Sequence, residues 1–346
     1  MLVRKEKSFK TLIFKSKKAI LNIYWFYKGM ISVGNPALSP TMPAGKKKDS
    51  EKKASQTIGA SNPSVQGYKR ITGGQIKDIL ATPQVTRSDC YLVSTLKALA
   101  KSRLGKQMLK DSIKTSADGD TFEVTFNKYD KDNTYKVKKD EKYDTVTSRH
   151  QFNPTGAVET ATNFVIQDRK DSKPGIIRTF APLFCADSPV ECNLASVYME
   201  TLTGRKPVAL GDDSLLSLNS KKDEAVKLLD KIGEIPMNKH SFVAGSKLMN
   251  TKDGIGKMHY YVIKKVDKDN KEVHLVNPRY VDLTKGTAEK DFVTDLKNDG
   301  YSDKDIQKSK DKVNDMPKVY KLSYEQFMDN FRSIVGYFDD KVSKKH

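Results

Sequence analysis

Between residues 90 and 113 the apolar side chains Leu92, Leu96, Leu99, Ala100, Leu104, Met108 and Ile113 recur at intervals that follow one face of a helix. The spacing predicts a single long helix. Ser88 and Asp89 stand directly before it and are good N-cap residues, which puts Cys90 in the first turn. Upstream, GGQIKDILATPQ offers a short helix closed by a proline. After Gly119, TFEVTFNKY and TYKVKKDE alternate apolar and polar positions around a DKDN turn, the period of paired strands. Further helices are predicted near residues 177–186, 193–202 and 222–232. The second half is mainly strand, in HSFVAG, HYYVIKKV and KEVHLVN. A helix-rich first half and a strand-rich second half predict an α+β fold of two lobes with a cleft at their join.

The N-terminal part has a different texture. Residues 35–67 are rich in Pro, Ser, Gly, Ala and Lys, with almost no large apolar side chains, and read as a flexible linker. The expected division is therefore a basic segment and linker over residues 1–67 and a folded core over 68–346. Within the core, 68–235 forms the helix-rich lobe and 236–346 the strand-rich lobe. The formal net charge is +19, and residues 1–70 carry fifteen Lys or Arg against three Asp or Glu, so most of the excess lies in the tail. Such a tail would attract an anionic surface weakly, and specific nucleic-acid binding is not expected. Residues 19–27, between Lys18 and Lys28, match the length of a signal-peptide apolar region, but no A-x-A cleavage site follows closely. A cytoplasmic location is expected, with secretion, a membrane-surface helix in residues 1–34 or a true start at Met30 as alternatives. No apolar run approaches the roughly 18 residues of a membrane span.

Candidate chemistry begins with Cys90, because the positive end of a helix stabilises a thiolate. Cys185 and Cys192 are too few and irregular for a disulfide framework and read as reduced structural thiols; no CxxC pair supports zinc. In HYYVIKKVDKDNKEVHLVNP, pairing the two strands about Lys268 sets His259 opposite Asn277. Directly opposed residues have Cβ atoms about 4.5–5.5 Å apart, close enough for an Asn amide to hold an imidazole in one tautomer. Gln84, six residues before Cys90, is positioned in the chain to supply one donor of an oxyanion hole, with the Cys90 N–H as the other.

Taken in order, Q-V-T-R-S-D-C-Y, the H-Y-Y-V strand and the N-P-R-Y end resemble the three catalytic blocks of calpain-family cysteine peptidases, approximately Q-G-x-x-G-D-C-W, G-H-x-Y-x-V and N-P-W-G. ETLTG and the closing YKLSYEQFMDNFRSIVGYF are weaker echoes, and the resemblance covers residues 74–339. It implies a papain-like, two-lobed fold with the active site in the cleft. The implied activity is endopeptidase, with catalytic Cys90, His259 and Asn277, Gln84 in the oxyanion hole, and a protein or peptide as substrate. No cofactor is required by the residues themselves; calcium is suggested by the resemblance, but no calcium-binding set maps onto this chain. The departures cluster near the site. Val85 and Ser88 replace glycines, Tyr91 replaces the Trp after the nucleophile, Met258 replaces the Gly before the His, and Arg279 and Tyr280 stand where Trp and Gly follow Asn-Pro. A charged insertion, residues 282–318, separates Asn277 from the closing segment. Two alternatives follow: a catalytically degenerate binding module on the same fold, and a Cys-dependent acyl transferase or deamidase, since fold and triad do not fix the acyl acceptor.

Overall fold

The computed structural model describes residues 67–84, 90–128, 133–139, 152–168, 194–212, 217–298 and 300–339. The chain divides into two units, Met1–Ser61 and Asn62–His346, and every described residue belongs to the second. Cys185, Cys192, the N-cap candidates Ser88 and Asp89, the helix predicted at 177–186 and most of the basic segment lie outside the described residues.

The fold is α+β with two antiparallel sheets. In the smaller, the strands β1 (Lys69–Arg70), β2 (Ile113–Thr115), β3 (Thr121–Thr125) and β4 (Thr134–Lys138) pair in sequence order. The larger contains β5 (Val208–Leu210), β6 (His240–Ser246), β7 (Tyr260–Asp267), β8 (Glu272–Val276), β9 (Tyr320–Ser323) and β10 (Phe331–Phe338), in the spatial order β5-β10-β6-β7-β8-β9. Helix α1 (Gly73–Ala81) opens with a capping box in which Thr72 and Gln75 satisfy each other's backbone N–H groups.

The long helix expected from residue 90 to 113 is two helices, α2 (Cys90–Lys101) and α3 (Arg103–Ser112). Ser102 breaks it: its backbone is extended, and its Oγ accepts from the Gly105 N–H at 2.9 Å as the N-cap of α3. Gly105 permits the sharp join, since a Cβ there would sit 2.3 Å from the Leu99 carbonyl oxygen. The apolar spacing runs through both helices because both use that face to bury core. Ile113, which closed the apolar series, begins β2 instead.

Helices α4 (Pro154–Asp168) and α5 (Ala195–Thr203) complete the first layer. One core joins α1 to α5 and the small sheet to one face of the large sheet, through Val243, Tyr260, Val262, Val335 and Tyr337. A second core lies on the opposite face, where α6 (Lys222–Gly233) and α9 (Tyr324–Asn330) pack against Phe242, Ala244, Tyr261, Ile263, Leu275 and Ile334. Burial on both faces explains why β6 reads as a continuous run rather than an alternation. By packing, β5 and α6 belong with the large sheet, although the sequence grouped them with the helix-rich lobe, because their apolar side chains Leu210, Ala225, Leu229 and Ile232 join its outer core. A buried polar cluster pins α5 to the sheet. The Tyr260 hydroxyl donates to Asp212 Oδ1 (2.7 Å), the Ser196 N–H donates to Asp212 Oδ2 (3.0 Å), and Arg332 Nη1 donates to the Asp212 carbonyl (2.8 Å). Within the insertion, α7 (Ala288–Asn298) and α8 (Asp303–Asn314) close over their own small core of Leu283, Phe292, Leu296, Ile306 and Val313. Among the described residues no helix is long and apolar enough to cross a membrane.

Candidate active site

Cys90 is the first residue of α2, which packs across β6 and β7, so its thiol arrives where β7 begins. Its Sγ lies 3.9 Å from the carbonyl oxygen of Met258, to which the resting thiol donates a weak hydrogen bond. The next residue is His259, whose Nε2 is 2.8 Å from Asn277 Oδ1. One residue beyond Asn277, the Pro278 carbonyl accepts from the Gln84 N–H at 2.9 Å. Four residues from three parts of the sequence are thus brought into one contact chain. Cys90, His259, Asn277 and Gln84 are all buried.

The Asn277 contacts settle the imidazole tautomer. Oδ1 also receives the backbone N–H of Arg279 at 3.0 Å, and a backbone N–H can only donate, so the shared atom is the carbonyl oxygen of the amide. The Nε2 facing it must then carry the hydrogen. Nδ1 is left with its lone pair, which is the protonation pattern a general base needs. Burial raises the pKa of the Tyr320 hydroxyl, and a hydrogen bond with the Asn277 amide opposes part of that rise, as donation from Nδ2 would. Burial, followed by the nearby Arg279 charge, drives the His259 pKa from its ordinary 6.5 down to about 3, against a smaller opposing effect of the Asn277 bond. At neutral pH the ring is uncharged, and a thiol proton would move to it during attack rather than beforehand.

The hairpin register differs from the one expected. Val262 pairs with Val276 and Ile263 with Leu275, but Lys265 pairs with His274, so Lys264 is an unpaired bulge residue. The turn lies one to two positions later than an axis at Lys268, with Lys271 in the left-handed region at φ +52°. Continuing the register at the open end sets Asn277 across from Tyr261, and His259 is its diagonal neighbour on the same face. The bulge decides this. Without the one-residue shift at Lys264, the far-end register would put Asn277 across from Val262 and His259 on the other face of the sheet. The signal was present in the sequence as the adjacent lysines 264 and 265, which interrupt the strand's apolar pattern and are both exposed.

Ser246 is a positioning residue that sequence reasoning missed. Its buried hydroxyl donates to the Gly256 carbonyl at 2.6 Å and accepts the His259 N–H at 2.9 Å, fixing the backbone that presents the imidazole. A lone serine at a strand end carries no pattern that marks it. Tyr261 sets its ring edge-on to the imidazole at 4.9 Å and in turn packs against Tyr320 and Phe331. These rings shield the His259–Asn277 bond; Tyr91 points elsewhere, edge-on to Tyr198 of α5. Met258 adopts φ +49°, a left-handed backbone conformation in which a non-glycine residue bears some strain.

A cavity of about 310 Å³ opens on the Gln84 side, bounded by Asp78 of α1, Thr82 and Pro83 after it, Asn153 before α4, Val281, and Asp291 and Phe292 of the insertion. The insertion therefore forms one wall of this cavity. His274 is remote in role, interacting with Glu272 at 3.2 Å, and His240 is buried on β6 beside Phe242. Among the described residues no group of three or more His, Cys, Asp or Glu could hold a metal ion. No protein-family model and no curated protein matches the chain.

Proposed function

We propose that the chain is a papain-like cysteine endopeptidase of the calpain type. The observation that carries this reading is the buried His259–Asn277 bond with Nε2 as donor, next to the residue whose carbonyl contacts the Cys90 thiol. The Cys90 proton passes to Nδ1 of His259 as sulfur attacks the peptide carbonyl carbon. The Gln84 amide and the Cys90 N–H receive the oxyanion. His259 then gives the proton to the amine as the C–N bond breaks, leaving a thioester on Cys90. Water, deprotonated by His259, attacks the thioester and releases the acid, returning the proton to sulfur.

Labelling with a thiol-reactive peptidyl epoxide, followed by mass-spectrometric mapping, tests the assignment. Modification of Cys90 that disappears in His259→Ala supports it. Absence of both labelling and cleavage across peptide libraries favours a non-catalytic binding module on the same fold. That second reading has its own support in the near-complete burial of Cys90 and His259, at 6% and 7% exposure.

A further inference from the structure

We propose that the cavity of about 310 Å³ between α1 and the insertion is a subsite for the Lys or Arg side chain of a bound peptide. That the peptide is a substrate rests on the peptidase reading above. The cavity walls adjoin the candidate site on two sides. Pro83 directly precedes Gln84, whose N–H donates to the Pro278 carbonyl at 2.9 Å, and Val281 lies three residues beyond Pro278. Consecutive Cα atoms are about 3.8 Å apart, so a peptide whose carbonyl is held at Gln84 passes beside this wall.

The lining is apolar where it is buried and acidic where it meets solvent. Phe292 is buried and Val281 half-buried, both packed in the small core of the insertion, whereas Asp78 is exposed and Asp291 half-buried. Lys285, the basic residue of the lining, pairs with Asp282 at 3.1 Å, and among the described residues no Lys or Arg pairs with Asp78 or Asp291. Two carboxylates therefore face one apolar hollow with no cation of their own. Asp291 has a local reason for its place: in the first turn of α7 it suits the helix N-terminus and accepts from the Thr287 hydroxyl at 2.7 Å. Asp78 has none. It stands in the last turn of α1, where the helix dipole and the outward carbonyls disfavour a negative charge. An apolar stem against Phe292 and Val281 with a cationic head at the acidic edge fits this division. An anion would meet both carboxylates. A divalent ion lacks ligands, since among the described residues no group of three or more His, Cys, Asp or Glu could hold one. The volume is at the lower end of the roughly 300 to 1,000 Å³ typical of ligand pockets, which suits one long side chain.

Binding is read first without turnover. In the full Cys90→Ala chain, N-acetyl-arginine amide should shift the backbone N–H resonances of Ala81 and Phe292, and its neutral isostere N-acetyl-citrulline amide should not. Asp78→Asn should weaken that response while raising the thermal midpoint slightly, because it removes a charge that α1 disfavours; a purely structural aspartate would not give this combination. Adding Asp291→Asn should abolish the response. Turnover is then compared for capped peptides carrying a single Arg or citrulline at each position around the scissile bond. One position should favour Arg by about 3- to 30-fold in kcat/KM, the worth of two partly exposed charge pairs, and the ratio should fall toward one in the double variant. Equal shifts from the two probes, or a preference unchanged in the double variant, overturn the site. Probe binding with no Arg preference at any position of a cleaved peptide overturns the substrate assignment. Probe binding with no cleavage of any peptide refutes the peptidase reading and leaves the cation site standing.

Discussion

Asn277→Asp separates the role of geometry from that of charge at the imidazole. The carboxylate is nearly isosteric with the amide and can accept from both His259 Nε2 and the Arg279 N–H, now 2.8 Å and 3.0 Å from Oδ1. What changes is a full negative charge. With the charge centres about 4 Å apart and an effective dielectric of about 20, the attraction for an imidazolium is about 4 kcal/mol, or about 3 pKa units. The His259 pKa, held at about 3 in the parent chain, should therefore rise to about 6. Asn277→Ala should move it the other way, because the bond it removes favours the protonated ring. The assay is NMR titration of the His259 imidazole in a Cys90→Ala background, where no thiol titrates with it. An unchanged pKa in Asn277→Asp would refute the bonding assigned here, and a rise in Asn277→Ala would refute the sign.

Ser246→Ala leaves the His259 N–H and the Gly256 carbonyl without their shared partner, and should cost about 2 to 4 kcal/mol in urea unfolding, with Ser246→Thr recovering most of it. Deleting Lys264 should put His259 and Asn277 on opposite faces of the sheet, reducing epoxide labelling to background while circular dichroism and a cooperative melt remain; labelling at the parent rate would show that the bulge does not set the pair. Gln84→Ala should lower kcat by about 10²- to 10³-fold with the fold intact. Stability should depend on acid through His240 and His259. Burial, with lesser contributions from Lys101 and Arg279 respectively, lowers their pKa values from 6.5 to about 4 and about 3. The unfolded chain therefore takes up these protons first, so the stability is fully present above about 6.5 and is lost as pH falls toward 4 and below. His240→Gln should flatten the upper part of this loss in denaturant midpoints measured from pH 7 to pH 4.

Local pattern determined much of this protein. The alternation in β3 and β4 and the apolar face of α6 are readable from side-chain period, because each buries a face that its own spacing defines, and β6, β7 and β8 are readable as apolar, strand-forming runs. The four candidate residues were nameable from their types and order. Other features required the folded chain. The break at Ser102 depends on Gly105 meeting Leu99, a contact between residues on two helices that share one apolar stripe. The tautomer of His259 depends on the Arg279 N–H, and its depressed pKa on burial, with Tyr261 against the ring, and on the charges of Arg279 and Lys312, the latter from the distant α8. The hairpin axis read from the sequence made His259 and Asn277 direct partners, whereas the folded strands make them diagonal ones. They still meet, because a single extra residue turns one strand end over, and side-chain period alone does not reveal which of two adjacent lysines the ladder will leave unpaired.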